Sequence, residues 1–523
     1  MLDLLLRGAR IVDGSGNPWY RGDVAIQGER IVGVGRVGEV EAARIIDCAD
    51  QVVSPGFIDM HSHADVMLLA EPRHEGKVFQ GVTTDVLGQD GLSYAPVSPP
   101  TLEMLRRHLR ALNGNPSIAW DWTTVASFLE RFDRRVATNV AYLVPHCAVR
   151  AEVIGMEDRL ATPAELERMQ ALVDEGMADG AVGFATGLDY TPNIWSDTDE
   201  LVALCEVVAR RGGLYVTHMR HSLGDGVLDP MREAIEIGRR SGVRVQISHL
   251  RGDRLGRPQT ADDVLGLLDE ARAAGVDVTY DSYGYARGSS LLHRMVPDWA
   301  HVGGPDALLA RLREPATRER ICREIGALKA DWSHVTIGGV ASDAHRDLEG
   351  WSIAEAAAEA GRDIVEFVCD LLVETELGVS YVADPNTSEE AIRQVLAHRL
   401  ATSGSDGLCW GSARHPRAYG SFARVLGHYV RDERLMPLEE AVRKMTSAGA
   451  LRLGLNDRGL IREGMVADLA VWDDRTIDAL STYERPLETA VGVSHVLVGG
   501  ELVLEDGRHT GATPGRALTP LLA

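Results

Sequence analysis

At 523 residues with 45% hydrophobic content, the chain can bury a large core and has room for more than one domain. A formal net charge of −23 argues against nucleic acid and anionic membrane as partners, because phosphate binding needs a concentrated basic surface. No run approaches the roughly 20 apolar residues of a membrane span. Asp3 stands where a signal peptide carries positive charge, so a soluble, cytoplasmic protein is expected.

The opening run, LLLRGARIVDGSGNPWYRGDVAIQGERIVGVG, sets short β-branched stretches between Gly, Asn and Asp turns, the pattern of a β-meander. The texture then changes to strand-like runs alternating with helical ones. In TPAELERMQALVDEGMADGA, Thr162 caps, Pro163 suits the first helical position, and Glu165 completes a capping box ahead of Leu166, Met169, Val173 and Met177. Strands are expected in SPGFIDMHSH, GVTTDVLGQD, NVAYLVPH, AVGFATG, LYVTHM, VQISHL, VDVTYDSY and LATSGSDG. Strand and helix in repetition imply a parallel sheet, and eight such strands close a (β/α)8 barrel of the TIM type, in the α/β class.

Between the seventh and eighth strands, residues 285–400 are too long for a plain connection and are expected to form an inserted lid, with a strand at HVTIGGV. GLIREGMVADLAVWD and VGVSHVLVGGELVLEDGR return to short strands with glycine turns. Residues 1–55 and 450–523 are therefore expected to build one small β-sandwich beside a barrel of residues 56–449. Cys48, Cys147, Cys205, Cys322, Cys369 and Cys409 include no CxxC pair, which fits reduced packing residues better than a disulfide framework.

His61 and His63 form an HxH pair, and strand residues two apart face the same way, so both imidazoles reach one ion. A locally hydrogen-bonded polar pair is the competing reading. His218 ends the fifth expected strand and His249 the sixth; either one alone reads as a satisfied buried histidine. Four histidines at the ends of three strands of one barrel, joined by Asp406 of GSDG at the end of the eighth, point instead to a metal site.

These residues lie in PGFIDMHSHAD, GVTT, THMR, ISHL, GSDG, HPRAYGSFARVLGHYVRDERLMPLEEAVRKMTSAGALRLGL and GLIREGMVADLAVWD. Together the motifs resemble the amidohydrolase superfamily over nearly the whole chain, and within it most resemble the N-acyl-D-amino-acid deacylases (D-aminoacylases). The resemblance implies a β-sandwich plus a metal-bearing barrel. It implies zinc held by His218 and His249 with a bridging residue from the second strand, a second metal position bordered by His61 and His63, and Asp406 as general base and acid, itself able to touch the metal. The cofactor expected is Zn2+, one ion or two, with Mn2+, Fe2+ or Co2+ as alternatives.

Many amidohydrolases bridge two metals with a carboxylated lysine on the fourth strand. Here AVGFATGLDY has none, and the chain's three lysines, Lys77, Lys329 and Lys444, lie away from the expected strand ends. The family resemblance instead implies a cysteine after the second strand, in a GNCG-like turn; this chain reads GQDG, with Asp90 in the cysteine's place. A carboxylate bridges divalent ions and is a harder ligand than thiolate. The competing reading, Asp before Gly as a favoured turn pair, leaves the site with no bridging ligand.

For the substrate, the resemblance implies that Arg251 (where the family has lysine), Tyr283, Ser289 and Arg417 hold a carboxylate, with Tyr190 on the acyl side. Pairing with one of the 77 acidic residues competes with that role, more for Arg251 than for Arg417. The expected activity is metal-dependent hydrolysis of a linear amide next to a carboxylate, an N-acyl-D-amino acid or a relative of one. A cyclic amidase of the hydantoinase or dihydroorotase type and a non-catalytic scaffold are the alternatives. The expected partner is a small carboxylate-bearing substrate, with homo-oligomer formation left open.

Overall fold

The computed structural model describes residues 1–38, 40–384 and 387–520. Five strands open the chain: β1 (Leu2–Ile11), β2 (Tyr20–Gln27), β3 (Arg30–Gly35), β4 (Ala42–Asp47) and β5 (Val52–Pro55). The barrel begins at β6 (Phe57–Asp59), which continues through the short segment β7 (Ser62–His63). It proceeds through β8 (Val82–Leu87), β9 (Asn139–Pro145), β10 (Gly183–Gly187), β11 (Leu214–His218), β12 (Arg244–Ile247) and β13 (Val278–Ser282).

An antiparallel three-stranded sheet follows, β14 (Gly288–Leu291), β15 (Val335–Val340) and β16 (Val379–Ala383), with β16 in the middle. Helices such as Gly304–Arg313 and Ile364–Glu374 pack on it around a hydrophobic cluster of its own that includes Leu292, Leu308, Ile337 and Leu372. The chain then returns for the eighth barrel strand, β17 (Ala401–Ser403), and the short β18 (Gly407–Leu408). All eight barrel strands form where the sequence places them. They are hydrogen-bonded in the order β6-β8-β9-β10-β11-β12-β13-β17.

The ring is drawn shut by the parallel pair of β7 and β18 and by Met60 N–H donating to the Ser403 carbonyl at 3.0 Å. Every residue of β8, β9, β10 and β11 is buried, as expected of parallel strands covered on both faces. The helix Pro163–Ala178 starts at the Thr162–Glu165 capping box and turns Met169, Val173 and Met177 inward. At the end of the chain, β19 (Leu469–Trp472), β20 (Val493–Val498), β21 (Glu501–Glu505) and β22 (Arg508–His509) join the opening strands in one nine-stranded sheet, ordered β22-β21-β20-β19-β5-β1-β2-β3 with β4 on β1. No helix among the described residues is long and apolar enough to cross a membrane, and all six cysteines are free.

One ion pair ties the first barrel strand to the last. Lys77 is buried, and its ammonium donates to the Asp59 carboxylate of β6 and to the Ser405 hydroxyl just beyond β17. The other Asp59 oxygen accepts from the His61 and Ser405 N–H groups at 3.1 and 2.7 Å. Burial disfavours the ammonium, but Asp59 and Asp85 outweigh it and hold the Lys77 pKa above its ordinary value. Removing one member of such a pair leaves an uncompensated buried charge, so Lys77→Met is expected to lower stability by about 3–5 kcal/mol. Urea unfolding checks this. An unchanged midpoint would contradict the assignment, and the neutral double variant Lys77→Met/Asp59→Leu should recover much of the loss.

Candidate metal centre

The GQDG turn enters the middle of the barrel mouth. Asp90 Oδ1 lies 3.5 Å from His61 Nε2 and 3.6 Å from His249 Nε2. Its Oδ2 lies 3.6 Å from His63 Nε2 and 3.8 Å from His218 Nδ1. These separations are too long for hydrogen bonds. They are close to the spacing of two donors on one tetrahedral ion, about 3.3–3.6 Å for bonds of about 2.0–2.2 Å. Asp90 Oδ1 is buried without any hydrogen-bond partner. Two donor sets overlap here, His61–Asp90–His249 and His61–His63–Asp406, each with its donor atoms within 4.8 Å of one another. Orphaned donors of this chemistry at this spacing fit one or two divalent ions.

The backbone pays for the placement. Asp90, His249 and Asp406 all adopt left-handed conformations, with φ of 55°, 35° and 52°, a strain that surrounding packing must enforce. For Asp90 the enforcement is visible in the flanking glycines. A Cβ at Gly88 would stand 2.2 Å from the Leu143 carbonyl oxygen of β9, and one at Gly91 would stand 2.6 Å from that of Ala185 in β10. Only glycine on both sides lets the turn lie so close to the two strands.

Carboxylates behind the histidines fix their rings. Asp281 of β13 faces His61 Nδ1 at 3.2 Å and accepts the His249 N–H at 2.8 Å, while Asp189 faces His218 Nε2 at 3.2 Å. The two ring contacts leave His61 Nε2 and His218 Nδ1 directed at Asp90, the arrangement that orients and strengthens metal-binding imidazoles, whereas at His249 the Asp281 bond holds the backbone.

The charges are strongly coupled. Burial raises the Asp406 carboxylate, but the Arg417 guanidinium, at 2.7 Å from Oδ2, and His63 outweigh it and hold the group well below the usual range. Asp90 is likewise held down, burial being outweighed by the charges of His61 and His249. Burial favours neutral His63, yet its contacts with Asp406 and Asp90 push it up to about 10.

A cavity of about 200 Å3 opens over this cluster. Of the sequence-predicted residues, His63, Asp90, Tyr190, His218, His249, Arg251, Tyr283, Ser289, Asp406 and Arg417 line it, and His61 lies fully buried behind. Tyr283 OH accepts from both Arg251 and Arg417. The arginines reverse the expected contrast. Arg417 is the one paired with an acid, Asp406, although its Nε and Nη2 remain buried without partners. Arg251 pairs with no acid among the described residues and instead donates to the carbonyls of Tyr285, Ala286 and Arg287.

The sequence reading gave no role to Asp59, Lys77, Asp189, Asp281 or Arg294, the last in the long insertion before β17. Two carried a signal: Asp59 and Asp281 are carboxylates inside buried strands, where an acid is almost never found without a partner.

A model of the amidohydrolase family matches residues 44–504, and the chain belongs to that family. It is 34% identical to a D-aminoacylase of Alcaligenes xylosoxydans xylosoxydans, covering 99% of this chain and 97% of the other. It is 35% identical to an N-acyl-D-glutamate deacylase of the same organism, over 99% and 96% of the two chains. The structure of N-acyl-D-glutamate deacylase from Bordetella bronchiseptica, complexed with zinc and a phosphonate mimic of the tetrahedral intermediate, is similar with a TM-score of 0.83 at 30% identity, covering 99% of each chain. An L-hydantoinase from Arthrobacter aurescens shares the fold at 16% identity and a TM-score of 0.59, over 99% of this chain and 100% of that one.

Because histidine ligands must be neutral, a proton held by His63 has to leave when an ion binds. Zinc added to metal-depleted protein near neutral pH is expected to release at least about one proton per chain, and affinity should weaken about tenfold per pH unit of acidification for each proton displaced. An indicator-dye titration measures this. Metal binding with no proton release and no pH dependence would contradict the charge assignment.

Proposed function

We propose that the chain is a metal-dependent amidohydrolase that deacylates N-acyl-D-amino acids. The observation that carries the reading is the single carboxylate, Asp90, standing among four histidines with ionised Asp406 and Arg417 at its side. His218, His249 and Asp90 would hold one ion, and His61 and His63 would border a second, shared through Asp90. Zinc is the ion we expect, in view of the zinc complex of the similar deacylase; a carboxylate bridge also suits Mn2+, Fe2+ or Co2+. When bound, the ion supplies Lewis acidity that activates water and polarises the amide carbonyl.

The rest falls to the protein's own groups. Asp406, kept ionised by Arg417, takes a proton from the attacking water and returns it to the leaving nitrogen. The unpartnered Nε and Nη2 of Arg417 offer two donors to the substrate α-carboxylate, and burial makes such charge-assisted bonds strong. Tyr283 holds Arg417 and Arg251 in register, with Ser289 beside them in the cavity wall and Tyr190 packed at a tilt against His218 on the acyl side. Two free guanidinium donors favour a linear substrate with a free carboxylate over a cyclic amide, and competent side chains at every ligand position argue against a mere scaffold. Six free thiols fit a reducing cytoplasm.

The purified holoenzyme is expected to hydrolyse N-acetyl-D-amino acids in preference to their L forms and to the corresponding carboxyl amides. Asp406→Asn should lower kcat by about 10²–10⁴-fold while metal content is retained. Unchanged turnover in that variant, or equal cleavage of carboxylate-free amides, would overturn the roles given to Asp406 and Arg417.

A further inference from the structure

Four arginines line the cavity of a chain whose net charge is −23. Three are answered within the protein. Arg417 meets Asp406 at 2.7 Å, Arg294 meets Asp189 at 3.1 Å, and Arg251 is saturated by three backbone carbonyls and Tyr283. Arg254 is half-buried in the same wall, and among the described residues its side chain has no hydrogen-bond or carboxylate partner. Its head group converges with that of exposed Arg257 on the facing loop. Arg254 Nη1 and Arg257 Nη2 stand 3.5 and 3.9 Å from the point a Cβ on Gly226 would occupy.

The nearby acids are committed elsewhere. Asp225 Oδ1 accepts three N–H groups at the start of the helix Leu228–Ser241, and Asp229 pairs with Arg232 at 2.6 Å. Asp253 accepts from Thr387 and Ser388 at the start of the helix Glu389–Ala397. Burial first, then the charges of Arg257 and Arg294, push the Arg254 pKa down against the charge of Asp189, which Arg294 and His218 already hold. Two convergent guanidinium groups without an acidic partner among the described residues make a ready anion site, since planar guanidinium forks match carboxylates.

We propose that Arg254 and Arg257 form a second anion subsite at the cavity rim, and that the preferred substrates are N-acyl amino acids bearing a carboxylate in addition to the one on Arg417. This rests on the N-acyl amino acid reading above. The additional carboxylate belongs either to the amino-acid side chain or to the acyl group; both present the same planar anion to the guanidinium pair.

The test compares kcat/KM of the holoenzyme for N-acetyl-D-leucine, N-acetyl-D-glutamate and N-succinyl-D-leucine. At least one dianion should be preferred over N-acetyl-D-leucine about tenfold or more, and Arg254→Gln should cut that preference about tenfold, mainly through KM. The dianion that gains identifies the source of the carboxylate. Equal rates on all three substrates, or an equal loss on all three in the variant, would overturn the subsite. Calorimetric binding of glutarate decides the matter apart from turnover. Weakening of about tenfold in Arg254→Gln supports the subsite and unchanged affinity overturns it, whereas cleavage of none of the three substrates counts against the deacylase reading alone.

Discussion

The structure turns on one constraint: a carboxylate shares a buried space with four imidazoles and stands too far from each of them for a hydrogen bond. Asp90 meets all four rings at 3.5–3.8 Å, and one of its oxygens is left without a partner. Buried polar groups are rarely left in that state without a function. A divalent ion resolves it, because each donor then gains a bond at the spacing the barrel already imposes.

Everything around the cluster serves that spacing. The strand ends bring His61, His218 and His249 to one mouth, Asp281 and Asp189 set the faces of the rings, and the Lys77–Asp59–Ser405 pin holds the first and eighth strands together. The last of these links the two functional ends of the barrel directly. Asp406 N–H donates to the His61 carbonyl at 2.7 Å, so Asp406 and the HxH pair are positioned as one unit. In the proposed reaction Arg417 has two tasks, keeping Asp406 ionised with one nitrogen and leaving two others for substrate.

Much of this was legible in the sequence, for physical reasons. Parallel barrel strands are buried on both faces, so each reads as an apolar run ending in a polar residue, and all eight were found that way. Asp90 was singled out because no lysine was available to bridge, and the structure sets it at the centre of the histidines. The inserted three-stranded sheet was legible only at β15. β14 is Gly-Ser-Ser-Leu and mostly half-buried, too short and polar to show a strand period. The arginines were misjudged because pairing is decided in three dimensions. Asp406 and Arg417 meet across a turn that sequence spacing does not describe, whereas the carbonyls that hold Arg251 belong to backbone and leave no trace in residue type. Lys77 was noticed for being scarce, but its partner Ser405 lies 328 positions away.

The central claim is that Asp90 is a metal ligand, and a crystal structure of the zinc-loaded protein, with the ion located by anomalous scattering, tests it most directly. The account predicts an Asp90 carboxylate oxygen within about 2.0–2.2 Å of the ion, in a shell shared with His218 Nδ1 and His249 Nε2. An ion bound by histidines alone, with both Asp90 oxygens well outside the roughly 2.2 Å limit of a zinc–carboxylate bond, would contradict it.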